Sequence, residues 1–142
     1  MPVSTLKSSA EEFNRKIKEF AAKIVPEKLH AFHKFACLFI FTEVINRNPV
    51  DTGRSRGNWF CTINAPSDAA EYDNFRDGGS TQDEMLAVVN SAPDFCNIML
   101  SNNIHYILFL EDGGSKQAPA GMVSVAIDTF VYQLRYKNSN KT

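Results

Sequence analysis

Apolar residues near the start of the chain recur with helical spacing. Four large apolar side chains lie four, three and four residues apart: Phe13, Ile17, Phe20 and Ile24. This spacing predicts an amphipathic helix over residues 8–24 with one apolar stripe. Ser8 or Ser9 is the expected N-cap, and Glu11 and Glu12 would then lie in the first turn, where the helix dipole favours acidic side chains.

A second helical segment is predicted over residues 27–47, directly after Pro26. The proline either kinks the first helix or opens a new one at its first turn. The centre of the segment, residues 35–41, is apolar on every side, and a helix of this kind is buried on every side. In a chain of 142 residues, we expect a neighbouring subunit to contribute to that burial. Asn48 ends the helix, because a residue that precedes a proline avoids the helical region.

The middle of the chain combines strand signals with polar turns. Residues 57–65 are rich in aromatic and β-branched side chains and predict a strand, and residues 95–102 predict a second one. Between them, the polar and acidic residues 66–80 predict a long loop, and residues 81–91 predict a short helix. The apolar run of residues 104–111 fits a strand or a helix equally well.

Local signals also place the last two helices. Thr81 and Glu84 have the spacing of a capping box at the start of the short helix. The apolar face of that helix comprises Met85, Val88 and Val89. The final helix is predicted over residues 122–136 from apolar positions four, three and four residues apart: Val123, Ile127, Phe130 and Leu134. The polar residues 137–142 predict a frayed tail.

These elements predict one α+β domain over residues 1–142, which is long enough to build a core. A long N-terminal helix over residues 8–47, continuous or kinked at Pro26, would pack with a small and mostly antiparallel sheet. The strands, the acidic loop and the short helix fall within residues 57–111. The amphipathic helix of residues 122–136 would complete the domain.

Composition and charge add two features to this picture. Phenylalanine contributes 11 of the 142 residues, which indicates a core or a subunit interface of large flat side chains, and Trp59 is expected to anchor that core. The net charge is −1, yet residues 7–34 hold seven Lys or Arg against four Glu, whereas residues 68–94 hold seven acids and one base, Arg76. The two regions are either solvated faces or complementary surfaces for head-to-side pairing of identical subunits, which a closed ring requires.

The three cysteines, Cys37, Cys61 and Cys96, form no C-x-x-C pair. Cys37 and Cys61 lie among apolar residues, as buried free thiols do, and this usage suits a reducing compartment. The first residues have no signal-peptide pattern, and the longest apolar run, residues 35–41, is too short to span a bilayer. We therefore expect a cytoplasmic protein that does not enter the membrane.

Candidate metal ligands are few. His30 and His33 lie three residues apart and share a face of a predicted helix. A metal would need a third ligand, and His105 is the remaining histidine. Exposed or core histidines explain this pattern better than a metal site, so we expect neither a metal nor a cofactor.

Two arginines follow a predicted turn over residues 49–53. Arg54 and Arg56 could bind phosphate or DNA from this turn. Alternatively, Asp51 holds the turn while Arg54 pairs with a carboxylate such as Glu111, since arginine suits bidentate pairing with carboxylates. We favour this ion-pair clasp.

The acidic pair and the glycines that follow it do not predict catalysis. Glu111 and Asp112 have no identifiable nucleophile or histidine beside them. Residues 113–116, GGSK, lack the spacing of a phosphate-binding Walker loop, and their glycines instead provide corners of positive φ. Pro119 and Gly121 would set the entry angle of the last helix.

Residues 49–59, PVDTGRSRGNW, resemble a segment of the small tail-completion proteins of tailed bacteriophages, which are also called neck or head–tail joining proteins. The family pattern of that segment is P-V-D-T-G-x-[LS]-R-x-S-[WF]. The residues of this chain that we assign to the motif are Asp51, Thr52, Gly53, Arg54, Arg56 and Trp59. The chain departs from the pattern at Asn58, where serine is common.

Residues 103–122 resemble the second signature of the same family, N-x-x-x-Y-A-x-x-[LV]-E-x-G-[TS]-S-x-[QM]-x-P-x-G-[MF]. The match rests on Tyr106, Leu110, Glu111, Gly113, Ser115, Gln117, Pro119, Gly121 and Met122. Ile107 replaces the usual alanine, and the acidic insertion of residues 66–80 has no counterpart in the family. The order of the elements, from a long helix through the DTG turn and the E-x-G loop to a last helix, also fits.

The resemblance implies a structural virion protein without enzymatic activity. Proteins of this family form rings, usually six-fold, at the junction between the portal-bearing head and the tail. The implied partners are further copies of this chain in a hexamer, together with neighbouring neck, portal-adaptor or tail proteins. Such a protein is assembled in the bacterial host cytoplasm and resides in the neck or tail of the virion. Basic side chains in the lumen would contact passing DNA without reading its sequence.

Within such a subunit, the two motifs would pack together through Arg54 or Arg56 and Glu111. Two other classes of protein stay open. One is a tail-terminator or head-stopper ring at another level of the neck. The other is a small nucleic-acid-binding protein that uses both arginines and the basic first helix. The salt dependence of binding distinguishes the nucleic-acid-binding protein from the ring proteins, because DNA binding weakens steeply with salt and apolar assembly does not.

Overall fold

A computed structural model of the chain describes the backbone of residues 3–139 and the side chains of residues 9–136. It confirms the predicted α+β class. The elements in chain order are α1 (Val3–Glu19), a π-helical turn (Phe20–Ile24), α2 (Val25–Arg47), a 3-10 turn (Arg56–Asn58), β1 (Phe60–Ile63), α3 (Gly78–Ser91), β2 (Ile98–Ser101), α4 (Ile107–Glu111) and α5 (Val123–Ser139). The chain divides into two compact units, residues 1–33 and residues 34–142.

The first helix begins upstream of both predicted caps. Since α1 starts at Val3, Ser8 and Ser9 lie inside the helix, and the predicted N-cap is wrong. The side chains of residues 9–24 are all exposed, including the four that form the predicted apolar stripe. The helical periodicity is therefore confirmed, but the stripe faces solvent within one chain.

A π-helical turn precedes Pro26. At this turn the N–H of Val25 donates to the carbonyl of Phe20, five residues back, where an α-helix would use the carbonyl four residues back. Proline has no N–H to donate, and its ring crowds the carbonyl four residues before it. The wider turn accommodates Pro26, so the helix passes through the proline without ending there.

The apolar centre of α2 is only partly buried. The buried side chains of α2 are Cys37, Val44 and Ile45. Phe35 exposes 47% of its surface, so a single chain does not bury residues 35–41 completely, and the expected contribution of a neighbouring subunit stays a prediction. The rings of Phe35 and Phe39 pack against Phe130 of α5, with ring centroids 6.0 and 5.4 Å apart.

The sheet consists of two antiparallel strands, both shorter than predicted. In the register of β1 and β2, Phe60 lies opposite Ser101. The start of the first predicted strand is instead the 3-10 turn. Asn64 adopts a left-handed φ of 67° that ends β1, and its backbone N–H and side-chain oxygen both bond to the backbone of Asn97. The two strands thus form a short ribbon closed by asparagine.

Helix α3 begins earlier than predicted and has a different cap. The carboxylate of Asp77 accepts the backbone N–H of Ser80 at 2.7 Å, which makes Asp77 the N-cap. Hydrogen bonds from the backbone and side chain of Ser80 lower the pKa of Asp77. The predicted capping box is wrong, because the Thr81 hydroxyl donates to the carbonyl of Asp77. Glu84 forms an ion pair with Arg76 instead.

The structure shows which form residues 104–111 take and which face of the last helix is buried. The second half of residues 104–111 is helix α4. The side chains that α5 and the residue before it bury are Met122, Ala126 and Phe130. The predicted stripe is confirmed at Phe130, but Met122 and Ala126 are buried in place of Val123 and Ile127, and Ile127 is 44% exposed. Helix α5 extends to Ser139, so the predicted tail is helical up to that residue, and residues 140–142 lie outside the described part.

The core of the second unit is built from side chains of α2, α3, α4 and α5 around Trp59, which is 6% exposed. The predicted apolar face of α3 is confirmed, since Met85 and Val89 are buried. Cys37 and Cys61 are free thiols, the first buried and the second partly buried. Across the described residues, no helix is both long and apolar enough to cross a membrane.

Candidate functional site

The two segments that carry the family resemblance meet in space. The Gln117 side chain makes two hydrogen bonds to the backbone of Val50: its Oε1 accepts the N–H at 2.9 Å, and its Nε2 donates to the carbonyl at 3.0 Å. This paired donor and acceptor resembles one rung of a β-ladder. It ties together positions 67 residues apart. We call the surface formed by residues 49–59 and 106–122 the motif junction.

Within the motif junction, the DTG turn is held by its own hydroxyl. Thr52 Oγ1 accepts the backbone N–H of Arg54 at 3.2 Å, as serine and threonine do in turns. Gly53 has a φ of 89°, and its carbonyl accepts the N–H of Gly57 at 2.9 Å. Asp51, the residue predicted to hold the turn, is exposed and lines the adjacent cleft. Asp51 and Thr52 both have side chains that can bond the backbone of such a turn, and here Thr52 makes the bond.

The two arginines of the turn bind backbone carbonyls. Arg54 Nε donates to the backbone carbonyl of Tyr72 at 2.9 Å, and the guanidinium carbon lies 5.7 Å from the centre of the Tyr72 ring. Arg56 Nη2 donates to the carbonyls of Asn46 and Asn48 at 2.8 and 3.1 Å. Arg56 thereby caps the carboxyl end of α2, where unpaired carbonyls favour a cation.

Glu111 caps the last helix with four hydrogen bonds of 2.8 to 3.0 Å to its carboxylate. The donors are the backbone N–H groups of Met122, Val123 and Ser124 and the hydroxyl of Ser124. A carboxylate at this position satisfies free N–H groups and interacts favourably with the helix dipole. The predicted clasp between Glu111 and Arg54 or Arg56 is therefore wrong, because all three side chains serve helix ends or backbone carbonyls.

The same contacts fix the ionisation of Glu111. Burial raises the pKa of its carboxyl group, but hydrogen bonds from Val123, Met122 and Ser124 outweigh burial, so the pKa lies below its ordinary value. Glu111 is thus an ionised acceptor at neutral pH. A general acid needs a proton to donate, and this carboxylate does not hold one.

Two motif glycines allow the E-x-G loop to close on the start of α5. Gly113 has a φ of 90°, and a side chain there would overlap the carbonyl oxygen of Pro119. Gly121 has a φ of 87°, and a Cβ there would lie 2.5 Å from the carbonyl oxygen of Glu111. Glycine is required at both positions for conformation and for space. The predicted positive-φ corner is therefore confirmed at Gly113, whereas Gly114, predicted to be a second one, does not adopt a positive φ. Gly121, which was expected to set the entry angle of the last helix, also adopts a positive φ shortly before α5.

A cleft of about 340 Å³ lies in the motif junction. Its lining includes Asp51, Thr52, Gly53, Arg54, Tyr106, Leu110, Ser115 and Gln117. Leu110 and Met122 also belong to the core, whereas Pro119 is exposed. Throughout the part of the chain that the structure describes, no group of three or more His, Cys, Asp or Glu is arranged to hold a metal ion.

Sequence reasoning missed the buried amide of Asn48. Its Oδ1 accepts hydrogen bonds from Ser55 Oγ at 3.1 Å and from the Trp59 indole at 2.9 Å, while its Nδ2 donates to the carbonyl of Pro49 at 2.9 Å. All of its polar atoms are thus used at 1% exposure. The sequence feature that could have identified Asn48 is its position between an apolar helix and a turn. A polar side chain buried at such a position needs hydrogen-bond partners.

Arg76 is the second missed residue. It donates to the carbonyl of Trp59 at 2.7 Å, and its guanidinium lies 4.2 Å from the centre of the Phe60 ring. With its ion pair to Glu84, it attaches the acidic segment to the start of β1. Its signal in the sequence was its position as the one base among the acids of residues 68–94.

The thiols show no sign of nucleophilic activation. Burial, followed by the proximity of Cys37, raises the pKa of Cys61 to about 12. Burial, followed by the proximity of Cys96, raises the pKa of Cys37. A thiol must ionise to attack an electrophile, so Cys37 and Cys61 are structural.

No protein-family model, curated protein or solved structure matches the chain. The chemistry of the motif junction therefore follows from its own contacts. Arg56, Glu111 and Gln117 each bind backbone groups: the first two hold helix ends near them in sequence, and Gln117 joins positions 67 residues apart. An arrangement of this kind holds a scaffold in shape.

Proposed function

We propose that this protein is a structural subunit of the neck of a tailed bacteriophage, where copies form a ring that joins or completes the tail at the portal-bearing head. The ring works by shape and contact, without catalysis, metal or cofactor. Its partners are further copies of the chain, with a hexamer as the expected form, and the adjoining neck, portal-adaptor or tail proteins. The subunits assemble in the bacterial cytoplasm and remain in the virion.

The observation that carries the proposal is the hydrogen-bonded pair of Val50 and Gln117. The two motifs lie far apart in the sequence, and a chance resemblance gives no reason for them to be in contact in the folded chain. Their meeting in one junction, with Glu111 capping a helix and Gly113 and Gly121 at its corners, gives most of the motif a scaffolding role. Scaffold motifs suit a protein whose task is assembly.

Exposed apolar side chains on the second unit support subunit contacts. Leu108 and Phe109 of α4 are 75% and 63% exposed, and Ile127 and Val131 of α5 are 44% and 39% exposed. Large apolar side chains that cluster on a surface mark interaction sites. A ring needs two different surfaces on each subunit, and these helices offer candidates for them.

The contacts of the arginines argue against nucleic-acid binding as the main function. Arg54 and Arg56 donate to backbone carbonyls, and a phosphate would have to compete with those bonds. Contact with DNA in a ring lumen would then fall to other basic side chains and would be independent of sequence. A tail-terminator or head-stopper ring has the same requirement for assembly, and binding to purified portal-side or tail-side proteins identifies the level of the neck.

Native mass spectrometry of the full chain, at low micromolar and at high concentration, tests the proposal. We expect a discrete ring whose mass is a fixed multiple of the subunit mass. Ile127→Lys should abolish the ring and keep the fold, because Ile127 is an exposed side chain of α5. Gln133→Lys adds the same charge at another exposed position of α5 and should leave the ring intact. A monomer at every concentration, also in the presence of portal and tail proteins, would overturn the ring.

A further inference from the structure

The helix of the first unit exposes large apolar side chains along its length, five of which are Phe13, Ile17, Phe20, Ile24 and Leu29. Their exposed fractions range from 41% to 64%. We call this set the N-terminal stripe. It lies outside the motif junction, and the ring proposed above makes no use of it.

The π-helical turn brings the N-terminal stripe onto one face. An α-helix advances about 100° per residue, so in an unbroken α-helix Leu29 would lie about 160° from Phe13. The π turn holds one extra residue and delays the rotation, which moves Leu29 to about 70° from Phe13. All five side chains then fall within an arc of about 120°. The turn between Phe20 and Ile24 therefore brings Leu29 onto the face that carries the four preceding apolar side chains.

One edge of the stripe carries charges of alternating sign. In order along the helix these are Glu12, Lys16, Glu19, Lys23 and Glu27, spaced four, three, four and four residues apart. The opposite edge carries Ala10, Asn14 and Ala21, which are uncharged. Lys28 also falls within the arc of the stripe, where its four-carbon stem can lie on apolar surface while the ammonium reaches water.

We propose that the N-terminal stripe binds the same stripe of a second copy of this chain, with the two helices antiparallel and crossing at the π turn. When two helices pair antiparallel around a two-fold axis, each edge meets the same edge of its partner. In this register Lys16 faces Glu27 of the second copy, and Glu19 faces Lys23. Each pair occurs twice, so four opposite-charge contacts flank the apolar seam.

The apolar side chains match in the same register. Phe13 lies opposite Leu29 of the second copy, and Ile17 lies opposite Ile24, so large groups meet along the whole seam. A parallel pair would place the charged edge against the uncharged one and would form none of these charge pairs between the helices, although Glu12 and Glu19 would keep their ion pairs with Arg15 of the same helix. An antiparallel register centred between residues 19 and 20 would set Lys16 against Lys23 and Glu12 against Glu27, which like charges disfavour.

This two-fold contact goes beyond the proposed ring and does not depend on it. A contact of this type is isologous, with the same surface on both partners, whereas a ring requires two different surfaces. A ring that also uses the stripe would form a double ring. Without a ring, the stripe alone would produce a dimer.

Charge exchange in the full chain tests both the surface and the direction of pairing. The variant K16E/K23E makes the charged edge wholly acidic, and E19K/E27K makes it mostly basic, so each variant should repel itself. Mixed in equal amounts, the two should pair with each other. The control K18E changes a charge on the far side of the helix and should have no effect. Sedimentation equilibrium and native mass spectrometry report the masses.

We expect the wild type and K18E to have the mass of a species joined by the two-fold contact. Each exchange variant alone should have half that mass. The equal mixture should recover the full mass, with one copy of each variant. Three results would overturn the proposal: a wild-type mass that both variants retain, a loss that mixing does not restore, or a wild type without any two-fold species at high concentration. A ring built from other surfaces keeps its subunit number in every variant, so failure of the ring is recognised separately.

Discussion

At the scale of single residues, the most connected side chain of the motif junction is Glu111. Its carboxylate closes the first turn of α5 from a position eleven residues before Met122, the first residue it binds. One charged side chain thus sets where the last helix begins and how the E-x-G loop folds back on it. The role is positional, and it depends on a negative charge at a helix N-terminus.

Glu111→Gln should lower the free energy of unfolding by roughly 1 to 2 kcal/mol, because the amide keeps the shape of the side chain but loses the charge that favours the cap. Urea unfolding followed by circular dichroism measures the change. Asp112→Asn removes the neighbouring exposed carboxylate and is the matched control. Equal stability of Glu111→Gln and Asp112→Asn would show that the Glu111 carboxylate does not stabilise α5 as its cap.

The pH dependence of stability should change in the same variant. Since the pKa of Glu111 is lower in the folded chain, its contribution to stability is complete above its ordinary pKa and is lost as the pH falls through the folded value. The wild type should therefore lose stability more steeply than Glu111→Gln below about pH 4. Urea midpoints measured from pH 3 to pH 7 test this, and parallel curves for both proteins would contradict it.

Gln117→Glu should open the contact between the two motifs. The carboxylate can accept the N–H of Val50, but it cannot donate to the carbonyl, which it would repel. Hydrogen exchange of the Val50 amide should become faster in this variant. Lys116→Gln lowers the charge by the same one unit at the neighbouring exposed residue and should leave that exchange rate unchanged.

The two structural thiols should resist alkylation in the folded protein. Iodoacetamide reacts with thiolates, and the raised pKa values of Cys37 and Cys61 keep both thiols protonated at pH 8. Mass spectrometry should find both residues unmodified until denaturant is added. Rapid labelling of Cys61 without denaturant would show that β1 opens readily.

The sequence identified residues of the motif junction but not their partners. Glu111 and Arg54 were expected to pair because carboxylates and arginines often do, whereas both bind backbone groups. Unsatisfied N–H and carbonyl groups at helix ends compete strongly for such side chains. Which helix end lies nearby is a property of the folded chain, and a motif written along the sequence does not contain it.

At the scale of elements, the π turn is the feature with the clearest consequence. Pro26→Ala removes the proline that the wider turn accommodates, so an unbroken α-helix of the same length should form and move Leu29 from about 70° to about 160° from Phe13. We expect the helix content to be kept and the two-fold pairing to be lost. Deleting Ala22 in the same variant places Leu29 fifteen residues after Phe13, about 60° from it, and should restore the pairing. Sedimentation velocity measures the pairing, and equal pairing in both variants would show that the register of the stripe is unimportant.

Periodicity predicted most helices but not their phase or ends. In α5, Phe130 packs against Phe35 and Phe39 as the predicted stripe requires, but the buried positions before it are Met122 and Ala126, one residue ahead of the predicted Val123 and Ile127. In α3, two glycines suggested a loop, but Asp77 caps a helix that contains them. Tertiary contacts override the weak preference of glycine against helices.

At the scale of the whole molecule, the two proposed contacts should respond differently to salt. The ring surfaces on α4 and α5 are apolar, so ring formation should change little between 50 mM and 500 mM salt. The two-fold pairing of the first helix depends partly on exposed charges, and it should weaken over this range because salt screens them. Native masses at both salt concentrations test this, and an equal response of both contacts would contradict it.

The α+β class followed from the order of the elements, whereas the division into two units did not. Local patterns show that a segment is helical, but they do not show whether another segment covers its apolar side. Large apolar side chains lie along the helix in both residues 9–24 and residues 35–41. The first segment is exposed throughout, yet the second is partly covered by α5. Burial depends on long-range packing, which periodicity does not encode.

The exposure of residues 9–24 has a further consequence for the life of the protein in the cell. A helix without tertiary packing owes little of its order to the rest of the chain and opens often. Arg15, Lys16, Lys18 and Lys23 lie along this helix, so a trypsin-like protease should cut a free chain there first. Partnered chains would be protected at the same sites. If the helix pairs as proposed, proteolysis would remove unpaired chains and spare paired ones.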